Sequence, residues 1–248
     1  MTTRRRLDAE LVRRGLAPSR ERAVEVIAEQ RVTVAGAVAD KASRLVAPGD
    51  AIEVRGPARR FVSRGGEKLA AALDEFAVEV EGRRVLDAGA STGGFTDCVL
   101  QRSARHVIAV DVGYGQLHEK LRADDRVEVR ERTNVRGLDA DAIGGAVDLV
   151  VADLSFISLR TVAAALLACA GPGADLVLLV KPQFEAGRAE ASKGRGVIKD
   201  PEVHARVLGE ICADLRERGA SIMGTMESPI TGADGNREFL VHARNEAH

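Results

Sequence analysis

Two groups of residues in this chain are equipped to do chemistry. The first is the run Arg84-Val85-Leu86-Asp87-Ala88-Gly89-Ala90-Ser91-Thr92-Gly93-Gly94-Phe95-Thr96-Asp97, an acid followed by glycines at 89, 93 and 94. Val85 and Leu86 read as a short buried strand, and Phe95 onward as an amphipathic helix. Glycines between them permit positive φ and a close approach of ligand to main chain, and the helix behind offers unpaired N–H groups. The spacing departs from the dinucleotide pattern G-x-G-x-x-G. His106-Val107-Ile108-Ala109-Val110-Asp111 follows as an apolar strand ending in an acid, about 20 residues after the turn, where a carboxylate can take ribose hydroxyls. Loop and acid together predict an adenosine-containing cofactor. The second group is four charges, Lys68, Asp153, Lys181 and Glu238. Any one of them alone would most often be a surface or structural charge.

The elements that must position these groups can be read from the apolar pattern. Gly65-Gly66-Glu67-Lys68-Leu69 opens a helix with Leu69, Ala72, Leu73 and Phe76 on one face. Lys68 lies at the end of the helix dipole that disfavours a cation, a mild sign of function. After Asp111, residues 116–122 read as a helix, 127–129 as a strand and Glu131-Arg132-Thr133-Asn134 as a turn. In such folds that turn lies beside an adenine, which makes Asn134 a candidate contact. Strand 147–152 ends in Asp153-Leu154-Ser155-Phe156, a helix runs to Ala170, and strand 175–180 ends in Lys181-Pro182-Gln183-Phe184-Glu185. Residues 185–199 are glycine-rich and basic (Lys193, Arg195, Lys199) and are expected to be a mobile loop bordering the site, a candidate substrate lid. Asp200 caps a helix with Pro201 at its first position, running to Gly219. Two strands, 221–227 and 238–243, close the chain around a turn at 232–236. Strands alternating with helices predict an α/β, doubly wound, mostly parallel sheet. Its ligands should lie outside the carboxyl ends of the strands, where Asp87, Asp111, Asp153 and Lys181 all fall.

Composition narrows the class. A chain of 248 residues with 45% hydrophobic content can build one ordinary core plus a small extra domain. Net charge is −1, yet residues 1–64 carry 14 Lys and Arg against 8 Asp and Glu, an excess of six that leaves −7 for the remainder. A basic front on an acidic body predicts a separate anion-binding module. No run approaches the roughly 18 apolar residues of a membrane helix, and the basic N-terminus lacks the apolar core of a signal peptide. Cys98, Cys169 and Cys212 are widely spaced in apolar helical patterns, which points to buried reduced thiols in a cytoplasmic protein and to no metal site.

The basic front has its own pattern. Leu7, Leu11 and Val12 make one helix face, closing at Gly15, and Ser19 can cap a second helix bearing Ala23, Val24, Ile27 and Ala28. Strands at 31–34 and 51–54 follow, with turns at Gly36 and Pro48-Gly49-Asp50. Arg13, Arg14, Arg20 and Arg22 cluster at the helix junction, where they could grip phosphates of a folded RNA. The run from Arg6-Leu7-Asp8 through Arg14-Gly15-Leu16-Ala17-Pro18-Ser19-Arg20 to Val32-Thr33-Val34-Ala35-Gly36 closely resembles the RNA-binding module of ribosomal protein S-four. The resemblance implies an RNA surface that includes Arg6, Arg13, Arg14, Arg20 and Arg22. Domain limits follow: 1–58 for a small α+β RNA-binding domain, 59–64 (with Arg59, Arg60 and Arg64) for a linker, and 65–248 for the larger domain.

The glycine turn of the larger domain has the D-x-G-x-x-x-G form that S-adenosylmethionine-dependent methyltransferases resemble, and a terminal antiparallel hairpin suits their sheets. The order Lys68, Asp153, Lys181, Glu238 on that fold resembles ribose 2′-O-methyltransferases of the FtsJ type. Over residues 6–243 the chain resembles the TlyA family, through Val62-Ser63-Arg64-Gly65-Gly66-Glu67-Lys68-Leu69, the glycine turn, Ala152-Asp153-Leu154-Ser155-Phe156-Ile157-Ser158-Leu159, Val180-Lys181-Pro182-Gln183-Phe184-Glu185 and Gly235-Asn236-Arg237-Glu238-Phe239. The resemblance implies a class I (Rossmann-like) methyltransferase acting on cytidine 2′-hydroxyls of small- and large-subunit rRNA within ribosomal subunits. It implies S-adenosylmethionine held by Asp87, Gly89, Ser91, Thr92, Gly93, Gly94, Asp111 and Asn134. Lys181 is then the expected base, Asp153 its orienting partner, and Glu238 the group that fixes Lys68 or the ribose; no metal is required. A non-catalytic RNA-binding or ribosome-assembly protein is the alternative, and a membrane-active haemolysin a more distant one. The first would have lost some of the four charges, and the second would need an amphipathic or spanning segment. A base methyltransferase would carry a nucleophilic cysteine or an Asn/Asp-Pro-Pro-aromatic motif, and Asp153-Leu154-Ser155-Phe156 is neither.

Overall fold

The computed structural model describes residues 4–17, 19–28, 30–56, 60–187, 190, 196–232 and 234–246. Arg59 of the expected linker, and Lys193 and Arg195 of the expected lid, lie outside them. The chain forms two compact units, 1–58 and 59–248.

The first unit contains β1 (Arg5–Arg6), α1 (Leu7–Arg13), α2 (Arg20–Ala28), β2 (Val32–Val34), β3 (Ala37–Val38), β4 (Leu45–Val46) and β5 (Ile52–Val54). Leu7, Leu11, Ala23, Ile27, Val32 and Val34 are buried together, so the apolar faces of the two helices pack on the central strand. Ser19 Oγ accepts the Arg22 amide at 3.2 Å, in the manner of an N-cap. β2 pairs antiparallel with both β3 and β5, and β1 with β4. The two-residue strands β1, β3 and β4 were not expected, because so short a run carries no periodicity.

The second unit contains α3 (Gly65–Glu75), β6 (Arg84–Ala88), α4 (Gly94–Gln101), β7 (His106–Val110), α5 (Glu119–Arg122), β8 (Val127–Arg130), β9 (Val147–Ala152), α6 (Leu159–Cys169), β10 (Ala170–Val180), α7 (Pro182–Glu185), α8 (Pro201–Glu217), β11 (Ala220–Glu227) and β12 (Phe239–Asn245). Its sheet has the order β11-β12-β10-β9-β6-β7-β8. Every pair from β10 to β8 is parallel, and β12 runs antiparallel to both of its neighbours, β10 and β11. The α/β, doubly wound, mostly parallel fold is therefore present. Core side chains cover both sheet faces: Leu86, Ile108, Val150 and Leu178 face α6 and α8, while Val85, Val107, Val151 and Val177 face α3 and α4. This is why the central strands read as continuous apolar runs.

Two expectations shift. The helix expected over 116–122 is a single turn at α5, because Gln116 and Leu117 belong to an irregular stretch that lines a recess beside Asp111. The strand expected from Asp175 begins at Ala170, with a register irregularity between those residues that accommodates Gly171-Pro172-Gly173.

At the end of the sheet away from the strand termini that carry the candidate site, Asp175 is 3% exposed and binds three cationic or potentially cationic groups. It accepts from Arg83 at 2.7 Å and Arg244 at 3.2 Å, and lies 2.8 Å from His242 Nε2. These bonds hold its carboxyl well below the usual carboxylate range, against the opposing effect of burial. The folded-state pKa being depressed, this contribution to stability is present above about pH 4 and is lost as pH falls below it. Asp175→Ala is expected to cost about 2–3 kcal/mol at pH 7, a figure reduced by the partial exposure of both arginines. Urea unfolding at pH 7 and pH 3.5 checks this, since the gap between the two proteins should narrow at the lower pH.

Candidate active site

The site forms where the sheet reverses direction, between β6 and β9, because loops leaving those strands on opposite faces part there. β6 ends at Ala88 and the chain turns at Gly89, with φ +87°. A Cβ at Gly89 would lie 2.6 Å from the Asp153 carbonyl oxygen, so the turn and the end of β9 touch backbone to backbone. Gly93 has φ +97° and a Cβ there would meet Leu121 at 2.2 Å, so this glycine lets α5 lie over the turn. Gly94 starts α4 beside Ser63.

A cleft of about 150 Å³ opens at this point, and Gly89, Ser91, Thr92, Gly94, Asp153 and Lys181 are among the residues lining it. Ser91 also borders a smaller recess formed with Asp111, Gly113, Gln116, Leu117 and Glu131. The Asp111 carboxylate accepts the Ser91 amide at 2.8 Å and the Gly113 amide at 2.7 Å, one on each oxygen. Each oxygen keeps a further lone pair for a hydroxyl. Asp87 is fully buried; its Oδ2 accepts the Thr96 hydroxyl at 2.6 Å and its Oδ1 has no partner. Burial pushes its carboxyl up to about 7, the Thr96 bond opposing this and the charge of Asp153 adding to it. An orphaned buried acceptor, a turn whose glycine keeps the backbone bare, and a strand-end acid in a recess fit a ligand with a cationic group and a ribose. Asn134 stands apart from both openings. It is exposed, and its Oδ1 accepts the Arg136 amide at 3.0 Å to cap a short 3₁₀ turn.

The four charges are arranged as two pairs. Lys181 follows β10, and its Nζ lies 2.5 Å from Asp153 Oδ1 and donates to Ser155 Oγ at 2.9 Å. Lys68, in the first turn of α3, is 8% exposed and donates to Glu238 Oε2 at 2.5 Å. The register that pairs Val180 with Phe239 sets Lys181 and Glu238 at neighbouring strand ends. The start of α3 lies against Asp153, since a Cβ at Gly65 would stand 3.6 Å from its Oδ2. Lys68 thus has a counter-charge waiting at what looked, from sequence, like an unfavourable helix end.

Several lining residues escaped the sequence reading of the site. Ser63, Gly65, Phe95 and Ser155 border the cleft, and Gln116 and Glu131 the recess. Ser63 and Gly65 sit in the run just before Lys68, which was the available signal. Phe156 is the other omission: it is 90% exposed, has φ +63°, and its ring lies 5.1 Å from that of Phe184. A large aromatic held in solvent at positive φ is costly and calls for a function.

In the first unit the arginines surround two buried carboxylates. Asp8 accepts from Arg6 at 3.0 Å and Arg20 at 2.9 Å; Glu10 accepts from Arg13 at 2.6 Å and Arg14 at 2.7 Å. Arg22 pairs with Glu25 at 2.7 Å. Arg14 differs from Arg6, Arg13 and Arg20: its side chain is only 20% exposed and its guanidinium also donates to the carbonyls of Ala47, Pro48 and Asp50, holding that loop. The other three keep half or more of their side chains in water.

The profile of FtsJ-like methyltransferases matches residues 61–245, and that of the S4 domain matches residues 5–52. The chain is 52% identical over 247 residues to the 16S/23S rRNA (cytidine-2′-O)-methyltransferase TlyA of Mycobacterium tuberculosis, covering 99% of this chain and 92% of that one. It is 38% identical over 238 residues to Hemolysin A of Brachyspira hyodysenteriae, covering 96% and 98%. Among solved structures, a putative hemolysin from Streptococcus thermophilus superposes with a TM-score of 0.78 at 40% identity, covering 99% of this chain and 90% of that one. Among the described residues no helix is long and apolar enough to cross a membrane.

The Asp87 geometry has a measurable consequence. Its folded-state pKa lies above the unfolded value, so the folded chain retains a proton that the unfolded chain has released. That contribution is full below about pH 4 and is lost as pH rises toward about 7. The difference in stability between Asp87→Asn and the wild type should therefore grow in favour of the variant from pH 5 to 6.5, by up to about 1.4 kcal/mol per pH unit. Urea titrations of both ligand-free proteins across that range check it. A difference independent of pH would mean that Asp87 ionises freely in the fold.

Proposed function

The chain belongs to the TlyA family of FtsJ-like methyltransferases and carries an S4 domain, and on that premise we propose that it transfers a methyl group from S-adenosylmethionine to a cytidine 2′-hydroxyl of ribosomal RNA in a ribosomal subunit. The observation that carries this reading is the Lys181 amine, held between Asp153 and Ser155 at the edge of a cleft walled by the glycine turn. When bound, the cofactor would supply a methyl group on a sulfonium, which departs as a neutral thioether and needs no proton. The acceptor hydroxyl, in contrast, must lose its proton as the new O–C bond forms. Lys181 Nζ, as the neutral amine, takes that proton and becomes the ammonium that Asp153 balances; donating to Asp153 and Ser155 leaves its lone pair turned to the hydroxyl. Lys68 and Glu238, neutralising each other nearby, hold the acceptor ribose without adding net charge. Asp111 binds the cofactor ribose, and Asp87, Gly89, Ser91, Thr92, Gly93 and Gly94 shape the pocket for its amino-acid end.

The RNA side of the reading rests on the S4 unit, where Arg6, Arg13 and Arg20 present guanidinium faces to phosphates while their inner faces are locked by Asp8 and Glu10. Phe156 offers its ring to an unstacked base beside Lys181. A haemolysin reading draws on the names of relatives alone. Each of the four charges that a non-catalytic RNA binder could dispense with is present and paired.

The deciding assay is incubation with labelled S-adenosylmethionine and separated, unmodified ribosomal subunits, with the product mapped by 2′-O-sensitive cleavage. Within it, Lys181→Arg should abolish turnover while cofactor and RNA affinities persist, because a guanidinium keeps the charge but cannot accept the proton. Appreciable single-turnover methylation by the arginine variant would reduce Lys181 to a fixed positive charge. Lost cofactor binding would show that the residue is misplaced in this scheme.

A further inference from the structure

Asp153, Ser155 and Phe156 all lie on one six-residue segment, 153–158, between β9 and α6. Such a segment has few regular hydrogen bonds, so something must fix its path. One end is tied: the Asp153 amide donates to the Ala88 carbonyl at 3.1 Å. The other end is tied by Glu185, which lies four residues after Lys181. Its Oε2 accepts the Ser158 hydroxyl at 2.5 Å and its Oε1 accepts the Leu159 amide at 2.7 Å. Arg160 returns the contact, donating to the Glu185 carbonyl at 3.3 Å.

Glu185 is only 7% exposed, and burial raises its carboxyl above the usual range. Helix capping does not account for that cost. Ser158 already caps α6 by accepting the Arg160 amide at 3.2 Å, and a small polar residue would satisfy the remaining amide without burying a carboxyl. What Glu185 adds is a link between two strand ends. Segments 153–160 and 181–185 meet at Lys181 with Asp153 and Ser155, at Phe184 with Phe156, and at Glu185 with Ser158 and Leu159. The first contact is catalytic in the reading above, the second faces solvent, and the third is the buried one.

We infer that Glu185 is a positioning residue for methyl transfer: by clamping Ser158 and Leu159 it sets the path of 153–158, and so places Asp153 and Ser155 on the Lys181 amine. This rests on the role proposed for Lys181. Glu185 touches neither substrate nor cofactor; it acts on the reaction through the two partners of the base. A displacement of about 1 Å in such groups costs about 100-fold in rate, without a matching loss of binding.

The test uses the full chain and the ribosomal-subunit assay under single turnover. Glu185→Ala is expected to slow methylation at saturating substrates by about 10- to 100-fold, with KM for cofactor and RNA within about twofold of wild type. Glu185→Gln, whose amide can accept from Leu159 and donate to the Ser158 oxygen, is expected to restore most of the rate. In a Ser155→Ala background the cost of the Glu185 substitution should shrink, because part of what the clamp aims has gone. If Glu185→Ala does not fold, Glu185→Asp, too short to reach both donors, takes its place in every arm. Unchanged rates, failure of glutamine to rescue, a rise in KM without a fall in kcat, or additive costs in the double variant would each overturn the inference. A wild-type chain that methylates no ribose, or an active Lys181→Arg, would instead indict the reading on which it rests.

Discussion

A buried ammonium needs a counter-charge, and that requirement organises the catalytic end of this molecule. Lys68 is nearly enclosed, and its only charged partner among the described contacts is Glu238, which comes from the far end of the sequence. Removing either partner would leave the other stranded in a medium that solvates charge poorly. Glu238 reaches that place because β12 runs antiparallel along β10 in one register, so the last strand of the chain completes a site begun by α3. The second pair, Lys181 with Asp153, stands at the end of the neighbouring strand and lines the cleft. A parallel last strand would have put its first residue at the wrong end of the sheet.

Much of this could be read in the sequence, for identifiable reasons. The strands of the parallel sheet are buried on both faces, so 85–88, 106–110, 147–152 and 175–180 appear as apolar runs, and each ends at a residue of different chemistry. The separation of Gly89 from Asp111 is fixed by one strand–helix–strand unit, which has little freedom in length. The recess was harder to see. Gln116 and Glu131 lie in irregular chain, where no period marks which side chains turn inward, and the side-chain oxygen of Asn134 is engaged by a neighbouring amide, which its place in a turn does not reveal. Phe156 was hidden by its type, since an aromatic beside a strand is most often core. Arg14 was hidden in the opposite way: four nearby arginines look alike until one guanidinium proves to be matched to three carbonyls of its own fold.

The arginines of the first unit illustrate how a basic surface can be kept rigid. Long cationic side chains lose considerable rotamer entropy when a ligand orders them. Here Asp8 holds Arg6 and Arg20 together, and Glu10 holds Arg13 and Arg14, so part of that ordering is completed during folding. Asp8 and Glu10 also reduce the net charge the unit presents. The arrangement trades some long-range attraction for preorganised geometry.

Asp87 carries a consequence of another kind. Its carboxyl is enclosed, pushed up to about 7, and has one oxygen without a partner. A cationic group settling against that oxygen would favour the ionised form, and the proton held there would pass to solvent. Capture of a cationic ligand beside Asp87 would then be an exchange of one cation for another. Its apparent affinity would strengthen with rising pH across the neutral range, and its measured heat would include the protonation enthalpy of whichever buffer receives the proton.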